Sequence, residues 1–231
     1  MSSLEDIKND FPEVGERGGR KQETNGEFLV WDDLNYEALY EANPIASADY
    51  GSEEAHKHIS VRDPQNLAAD EKMAIADHMH NYGFALIHIE GGCSGAKTAR
   101  AIFDGVGLNK PYVPAYFEAF QVETENGVNT VTTKPNADPD GHNAFTTGNK
   151  SGLHVDGVFH PFGVKTSINV MDVPAHEGGE STLFNTTAAF LALMRHDPEA
   201  AQAFMCEDSL ETRSQRNPEV NRAIGPVVRV K

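Results

Sequence analysis

Two hydrophobic periods divide the chain. After Pro64 the apolar residues recur at helical spacing: Leu67, Ile75, Met79 and Tyr82 fall on one stripe with a period of about 3.6. Gly83 follows where a left-handed C-terminal cap is wanted. Phe84 to Ile89 is an apolar run of strand length, broken only by His88. Ser94 is suited to cap a second helix running to about Val106, which Gly105 and Gly107 close. This helix–strand–helix segment reads as scaffold without chemistry of its own.

From Ala115 the pattern shortens. Tyr116 to Thr124 and Val128 to Lys134 are aromatic and β-branched, with Glu125-Asn126-Gly127 as the turn between them. A polar loop runs from Pro135 to Lys150, and Leu153 to Phe159 and Val164 to Val173 then predict strands. Gly178-Gly179 marks a turn and Ser181 to Phe184 another short strand. Thr187 to His196 is helical, with Phe190, Leu191 and Met194 on one face. Asp197 caps a further helix with Pro198 at its first position. Val227 to Val230 reads as a strand cut short by the end of the chain. Upstream, residues 1–26 are charged and rich in Gly and Asn, which predicts a flexible tail; Phe28 to Trp31 opens the ordered domain, over residues 27–231; and 43–66 reads as loop. The fold expected is mainly β with flanking helices, an antiparallel barrel or jelly roll.

Charge narrows the partners. Nineteen Lys and Arg against 35 Asp and Glu give a formal charge of −16. Such a surface repels phosphate backbones and anionic bilayers, so nucleic acid and membrane are not expected partners. It leaves open a locally basic pocket for a small molecule. Cys93 and Cys206 are too few for a disulfide framework, no stretch has the length or character of a membrane span, and Met1 to Asp10 lacks a signal-type apolar run. A cytoplasmic protein is expected.

Chemistry concentrates in Leu153-His154-Val155-Asp156-Gly157-Val158-Phe159. On an extended segment residues two apart share a face, so His154 and Asp156 project together and Val155 points away. An imidazole and a carboxylate converging from one strand are two members of a facial iron triad, and mixed N/O ligation without thiolate suits Fe(II). The bare triplet also arises at any solvated strand edge.

Downstream lies Glu177-Gly178-Gly179-Glu180-Ser181-Thr182-Leu183-Phe184. With it the chain resembles the taurine dioxygenase-like (TauD/TfdA) family of Fe(II)/2-oxoglutarate oxygenases, which carry an H-T-D-x-x-F segment and then G-G-[DE]-T-L-[WF]. His154, Asp156, Phe159, Gly178, Gly179, Glu180, Thr182, Leu183 and Phe184 match, Ser181 is an extra residue, and Val155 stands where the family often has Thr. Tyr82-Gly83-Phe84-Ala85-Leu86-Ile87 is similar to the family's early strand entry. The resemblance implies a double-stranded β-helix. It implies that His154 and Asp156 bind Fe(II), that Thr182 contacts a carboxylate of the cosubstrate 2-oxoglutarate, and that Phe159 lines the substrate pocket. Thr182 and Phe159 are equally what a strand and a core would use. The implied reaction is hydroxylation of a small organic substrate by O₂, with release of succinate and CO₂; a carboxylate at 156 argues against halogenation. The family's second iron histidine and its 2-oxoglutarate arginine fall past residue 231, so the domain is expected to be partial, stopping mid-barrel. Two other readings are a barrel remnant without catalysis and a cupin-like binding protein.

The remaining histidines fit a metal less well. His196 ends a predicted helix, where it complements the dipole. His78 and His80 lie two apart on a helix and point to different sides. His56 and His58 have no supporting carboxylate. His160 and His176 flank the strand after the motif, and His142 sits in a turn-rich loop suited to a lid. Arg213 and Arg216 fall in a stretch read as polar loop. No nucleophile elbow, P-loop or dinucleotide glycine pattern is present.

Overall fold

Two parallel strands joined by a helix form the centre of the computed structural model. It describes residues 20–21, 28–108, 111, 124–125, 128–132, 154–155, 166–173, 176–177, 180–213 and 222–230. In chain order the elements are β1 (Arg20–Lys21), α1 (Tyr36–Ala42), β2 (His58–Val61), α2 (Ala69–Tyr82), β3 (Leu86–Ile89), α3 (Gly95–Gly105), β4 (Thr124–Glu125), β5 (Val128–Asn129), α4 (Thr186–His196), α5 (Pro198–Phe204), β6 (Leu210–Arg213) and β7 (Arg222–Gly225). Short 3₁₀ turns lie at Trp31–Asp33 and Pro44–Ala46.

β2 pairs with β3 in parallel, His58 opposite Leu86 through Val61 opposite Ile89, and α2 makes the crossover. β2 falls inside the stretch read from sequence as loop. Its alternation was present in His58-Ile59-Ser60-Val61, but four residues among Pro, Gly and Asp carry a weak local signal. Burial follows the alternation, with His58 and Ser60 exposed and Val61 fully buried. Val61, Leu67, Ile75 and Ile102 form the core, with Ile59, Met79, Ile87, Ile89, Val106 and Ile168 packed against it.

α2 ends as the sequence predicts. Gly83 adopts φ 76° and its N–H donates to Met79 O at 2.9 Å. A β-branched residue in that left-handed conformation would be strained. α3 departs in its N-terminal detail. Ser94 occupies the cap position without a side-chain capping bond; its backbone N–H donates instead to Thr98 Oγ1 at 2.9 Å. The Asp172 carboxylate accepts from Gly95 N–H at 3.2 Å, placing a negative charge at the positive end of the helix.

Glu71, at the start of α2, ties helix to sheet. Its carboxylate accepts from Arg62 Nε at 2.9 Å, Arg62 N–H at 3.1 Å and Ala68 N–H at 2.8 Å. The Arg62 side chain, then the Ala68 and Arg62 amides, hold the carboxyl at about 2, against an ordinary 4.5. A folded-state value below the unfolded one contributes stability at pH above about 4.5, lost as pH falls through about 2. Glu71→Gln is therefore expected to lower the neutral-pH unfolding midpoint and to flatten its acid-side dependence. An acid limb unchanged in the variant would refute this role.

Near the C-terminus of α3, Gly105 packs on Leu67. A Cβ there would lie 2.5 Å from Leu67 Cδ1 and 3.0 Å from Cγ. Leu67 is buried in the core cluster, so moving it aside disturbs its neighbours. Alanine would add about 1 kcal/mol of helix propensity, but overpacking costs about 1–3 kcal/mol. Gly105→Ala should be net destabilising by about 1 kcal/mol in urea titration; a gain in stability would show that Leu67 repacks freely.

Among the described residues, the second half forms fewer ladders than its composition predicts. β4 and β5 pair antiparallel, Glu125 opposite Val128, as the expected turn requires. Residues 166–173, expected as a strand, form no ladder, and neither do Ser181 to Phe184. Instead Ile168 packs on the core, and Met171 and Asp172 contact Cys93 and Gly95. Val227 to Val230, expected as a strand, join no ladder; the strand lies before them at β7, which the sequence pattern does not mark, and Pro226 has no N–H to continue it. β7 pairs antiparallel with β6 and parallel with β1, which falls inside the segment read as tail. The helices expected at Thr187 and Pro198 are borne out, with Asp197 Oδ1 accepting from Ala200 N–H at 3.0 Å. Among the described residues the sheets have three, two and two strands and form no closed barrel. None of their helices is long and apolar enough to cross a membrane.

Candidate functional site

His154 and Val155 are described, and both are exposed outside any ladder. Asp156 and Phe159, together with His142, His160, Gly178, Gly179 and Arg216, lie outside the described residues. The expected convergence of His154 with Asp156 is thus carried by the sequence spacing. Thr182 is exposed on the segment leading into α4.

The rival histidines have other occupations. His78 is buried, its Nδ1 3.1 Å from Phe84 O and its Nε2 3.0 Å from Glu54 O, against the rings of Tyr82 and Phe84. It joins α2 to the chain before β2 and the chain before β3. His56 Nε2 meets Tyr50 O at 2.7 Å, and His58 sits on the outer face of β2. His196 is exposed in the last turn of α4 beside Arg195, where positive charge complements the helix dipole. Arg213 is the last residue of β6 rather than part of a loop. Among the described residues no group of three or more His, Cys, Asp or Glu gathers to hold a metal.

Both cysteines are free thiols engaged elsewhere. Cys93 Sγ donates to Met171 O at 3.5 Å, and Cys206 Sγ to Gln202 O at 3.7 Å within its own turn. Neither adjoins the His154 motif in sequence. The donors the motif offers are an imidazole and a carboxylate, a set that fits a ferrous ion better than a thiolate-seeking metal.

Sequence patterning missed the junction between the Thr182 segment and α4. Asn185 caps the helix, its Oδ1 accepting from Ala188 N–H at 2.9 Å. That bond fixes the amide orientation, and Nδ2 then donates to Ile45 O at 2.6 Å and to Tyr50 Oη at 2.8 Å. The available signal was an Asn directly before a helical run.

Comparison with known proteins places these features in a family. The chain is 34% identical over 155 residues to a uridine-5'-phosphate dioxygenase of a Streptomyces species, covering 64% of this chain and 54% of that protein. It is 31% identical over 164 residues to a uridine-5'-phosphate dioxygenase of an Amycolatopsis species, covering 70% and 58%. The alignments thus span a little over half the length of these curated relatives. No solved structure matches. A family model described as taurine catabolism dioxygenase TauD, TfdA family matches residues 41–231, most of the chain and all of its candidate chemistry, and the chain belongs to that family.

Proposed function

We propose that this chain carries iron- and cosubstrate-binding residues of an Fe(II)- and 2-oxoglutarate-dependent dioxygenase. The carrying observation is a family match that runs through both motifs, with His154 and Asp156 in the first and Thr182 in the second. A jelly-roll barrel, built in part from these segments, is the fold that goes with this reading. Membership of a dioxygenase family favours it over a barrel remnant or a cupin-like binder.

The reaction balances without another reductant. 2-Oxoglutarate loses CO₂ and is oxidised to succinate, which takes one oxygen atom of O₂; the other enters a C–H bond of the substrate as a hydroxyl. Bound Fe(II) supplies the redox chemistry, and the protein supplies orientation and exclusion of water. His154 would offer a neutral imidazole nitrogen and Asp156 a carboxylate oxygen to the metal. Thr182 would donate its hydroxyl to a cosubstrate carboxylate, a charge-assisted bond. Phe159 would present an apolar wall to the substrate.

Two relatives are named for uridine 5'-phosphate, so that nucleotide heads the substrates to be tried. A net charge of −16 does not oppose this, because a single phosphate needs only a local basic pocket. The test is oxygen uptake by the purified full-length protein with Fe(II), 2-oxoglutarate and uridine 5'-phosphate, with succinate measured in parallel. Succinate formation that requires both iron and oxygen supports the proposal. Its absence, with uridine 5'-phosphate and with a panel of sulfonates and aryloxy acids, refutes it.

A further inference from the structure

Thr182 sits on a segment with little of its own to hold it. Residues 180–184 join no ladder, and Leu183 and Phe184 are 67% and 65% exposed. Three residues on, the chain meets a firm anchor. Asn185 is half-buried and engages both ends of its amide: Oδ1 accepts from Ala188 N–H, and Nδ2 donates to Ile45 O and to Tyr50 Oη. Tyr50 is fixed in turn. Its hydroxyl lies 3.2 Å from Ile45 O and 3.1 Å from Tyr82 O, one of which takes its proton, while its ring stacks on Phe84 and meets Tyr82 edge-on. Tyr82 is the last residue of α2, so the anchor reaches the βαβ scaffold.

We infer that the Tyr50–Asn185 hydrogen bond is a positioning device for 2-oxoglutarate: it fixes the exit of the Thr182 segment against the scaffold and so sets where the Thr182 hydroxyl meets the cosubstrate. This rests on the role proposed for Thr182. The reach is short, since three residues of extended chain span about 10 Å at most. A shift of Asn185 is therefore passed to Thr182 with little slack. An N-cap alone would need only Oδ1; the two donations from Nδ2 across some 140 residues of sequence serve to locate the junction.

Two variants separate location from capping. Tyr50→Phe keeps the ring contacts and deletes the acceptor of the Asn185 bond, together with the hydroxyl's own donation to Ile45 O or Tyr82 O. Asn185→Asp keeps a capping oxygen, and aspartate caps helices about as well as asparagine, but it removes both donations and sets an anion against Ile45 O. Each would be titrated with 2-oxoglutarate under anaerobic conditions in the iron-loaded protein. Iron affinity and amide exchange over 180–188 would be measured alongside. Tyr50→Phe should weaken 2-oxoglutarate binding about three- to tenfold, the scale of one neutral hydrogen bond, with iron affinity unchanged. Asn185→Asp should weaken it further, speed exchange over 180–185 and leave the Ala188 amide protected.

Cosubstrate affinity unchanged in both variants, with exchange accelerated, would overturn the positioning role and spare the proposed activity. Iron and 2-oxoglutarate affinities falling together would mark general loosening and overturn it equally. A wild-type protein that binds no 2-oxoglutarate would overturn the dioxygenase reading, and this inference with it.

Discussion

His154→Ala should leave a normally folded protein that takes up no oxygen above background when supplied with Fe(II) and 2-oxoglutarate. The side chain is exposed and lies outside the core, and substitutions at such positions usually change stability by no more than about 0.5 kcal/mol. With His154 in its proposed role as an iron ligand, the metal site loses far more. Removing even an outer partner of a metal ligand typically costs about 10–100-fold in affinity or activity. Removing an inner ligand from a site with few protein donors should exceed the upper end of that range. His196→Ala is the matched control. It deletes the histidine that, among the described residues, follows the motif most closely on a regular element, at the end of α4, and it should retain activity. Oxygen uptake, succinate yield and thermal midpoint measured together decide the matter. Full activity in His154→Ala, or its loss in His196→Ala with the fold intact, would move the iron site elsewhere.

The contrast between these two histidines shows what the sequence reveals of the site. His196 is explained by its place in a helix, which periodicity predicts well. His154 is explained by its partner two residues on and by the glycine-rich motif downstream. That reading needs the resemblance as well as the spacing, since the bare triplet also arises at any solvated strand edge. The scaffold was more legible. The apolar stripe of α2, the left-handed Gly83 and the Asp197-Pro198 restart each rest on local physics, and each appears where expected. The strands are a different case. A β-branched run becomes a strand only when a neighbour completes its ladder, and composition does not say where that neighbour is. So the strand expected at 164–173 forms no ladder over its described residues 166–173, which spend Ile168 on the core and Asp172 on the N-terminus of α3. β2, with a weaker local signal, is a strand because β3 lies beside it. Asn185 went unread for a related reason: its cap is local, but its bonds to Ile45 and Tyr50 depend on tertiary placement.

Ile102→Ala carries the largest stability loss expected here. Ile102 is 3% exposed and shares the core with Val61, Leu67 and Ile75, where α3 meets the apolar face of the parallel pair. Truncation removes three buried carbons and leaves a void between rigid elements, a change that typically costs about 2–5 kcal/mol. Met73 on α2 is 63% exposed, and Met73→Ala should stay within about 0.5 kcal/mol. Urea unfolding with an unchanged slope would report both. A cost below about 1 kcal/mol for Ile102→Ala would mean that the core collapses into the gap and is looser than its burial implies. Gly105 offers a way to see that gap directly. It lies one turn on from Ile102, and its added methyl would press on Leu67, a neighbour in the same cluster. With Ile102 truncated, Leu67 has somewhere to go. Gly105→Ala should then cost less in the Ile102→Ala background than in the wild type, a coupling on the order of 1 kcal/mol between residues that share a cavity. Strict additivity would show that the space left by Ile102 does not reach Leu67.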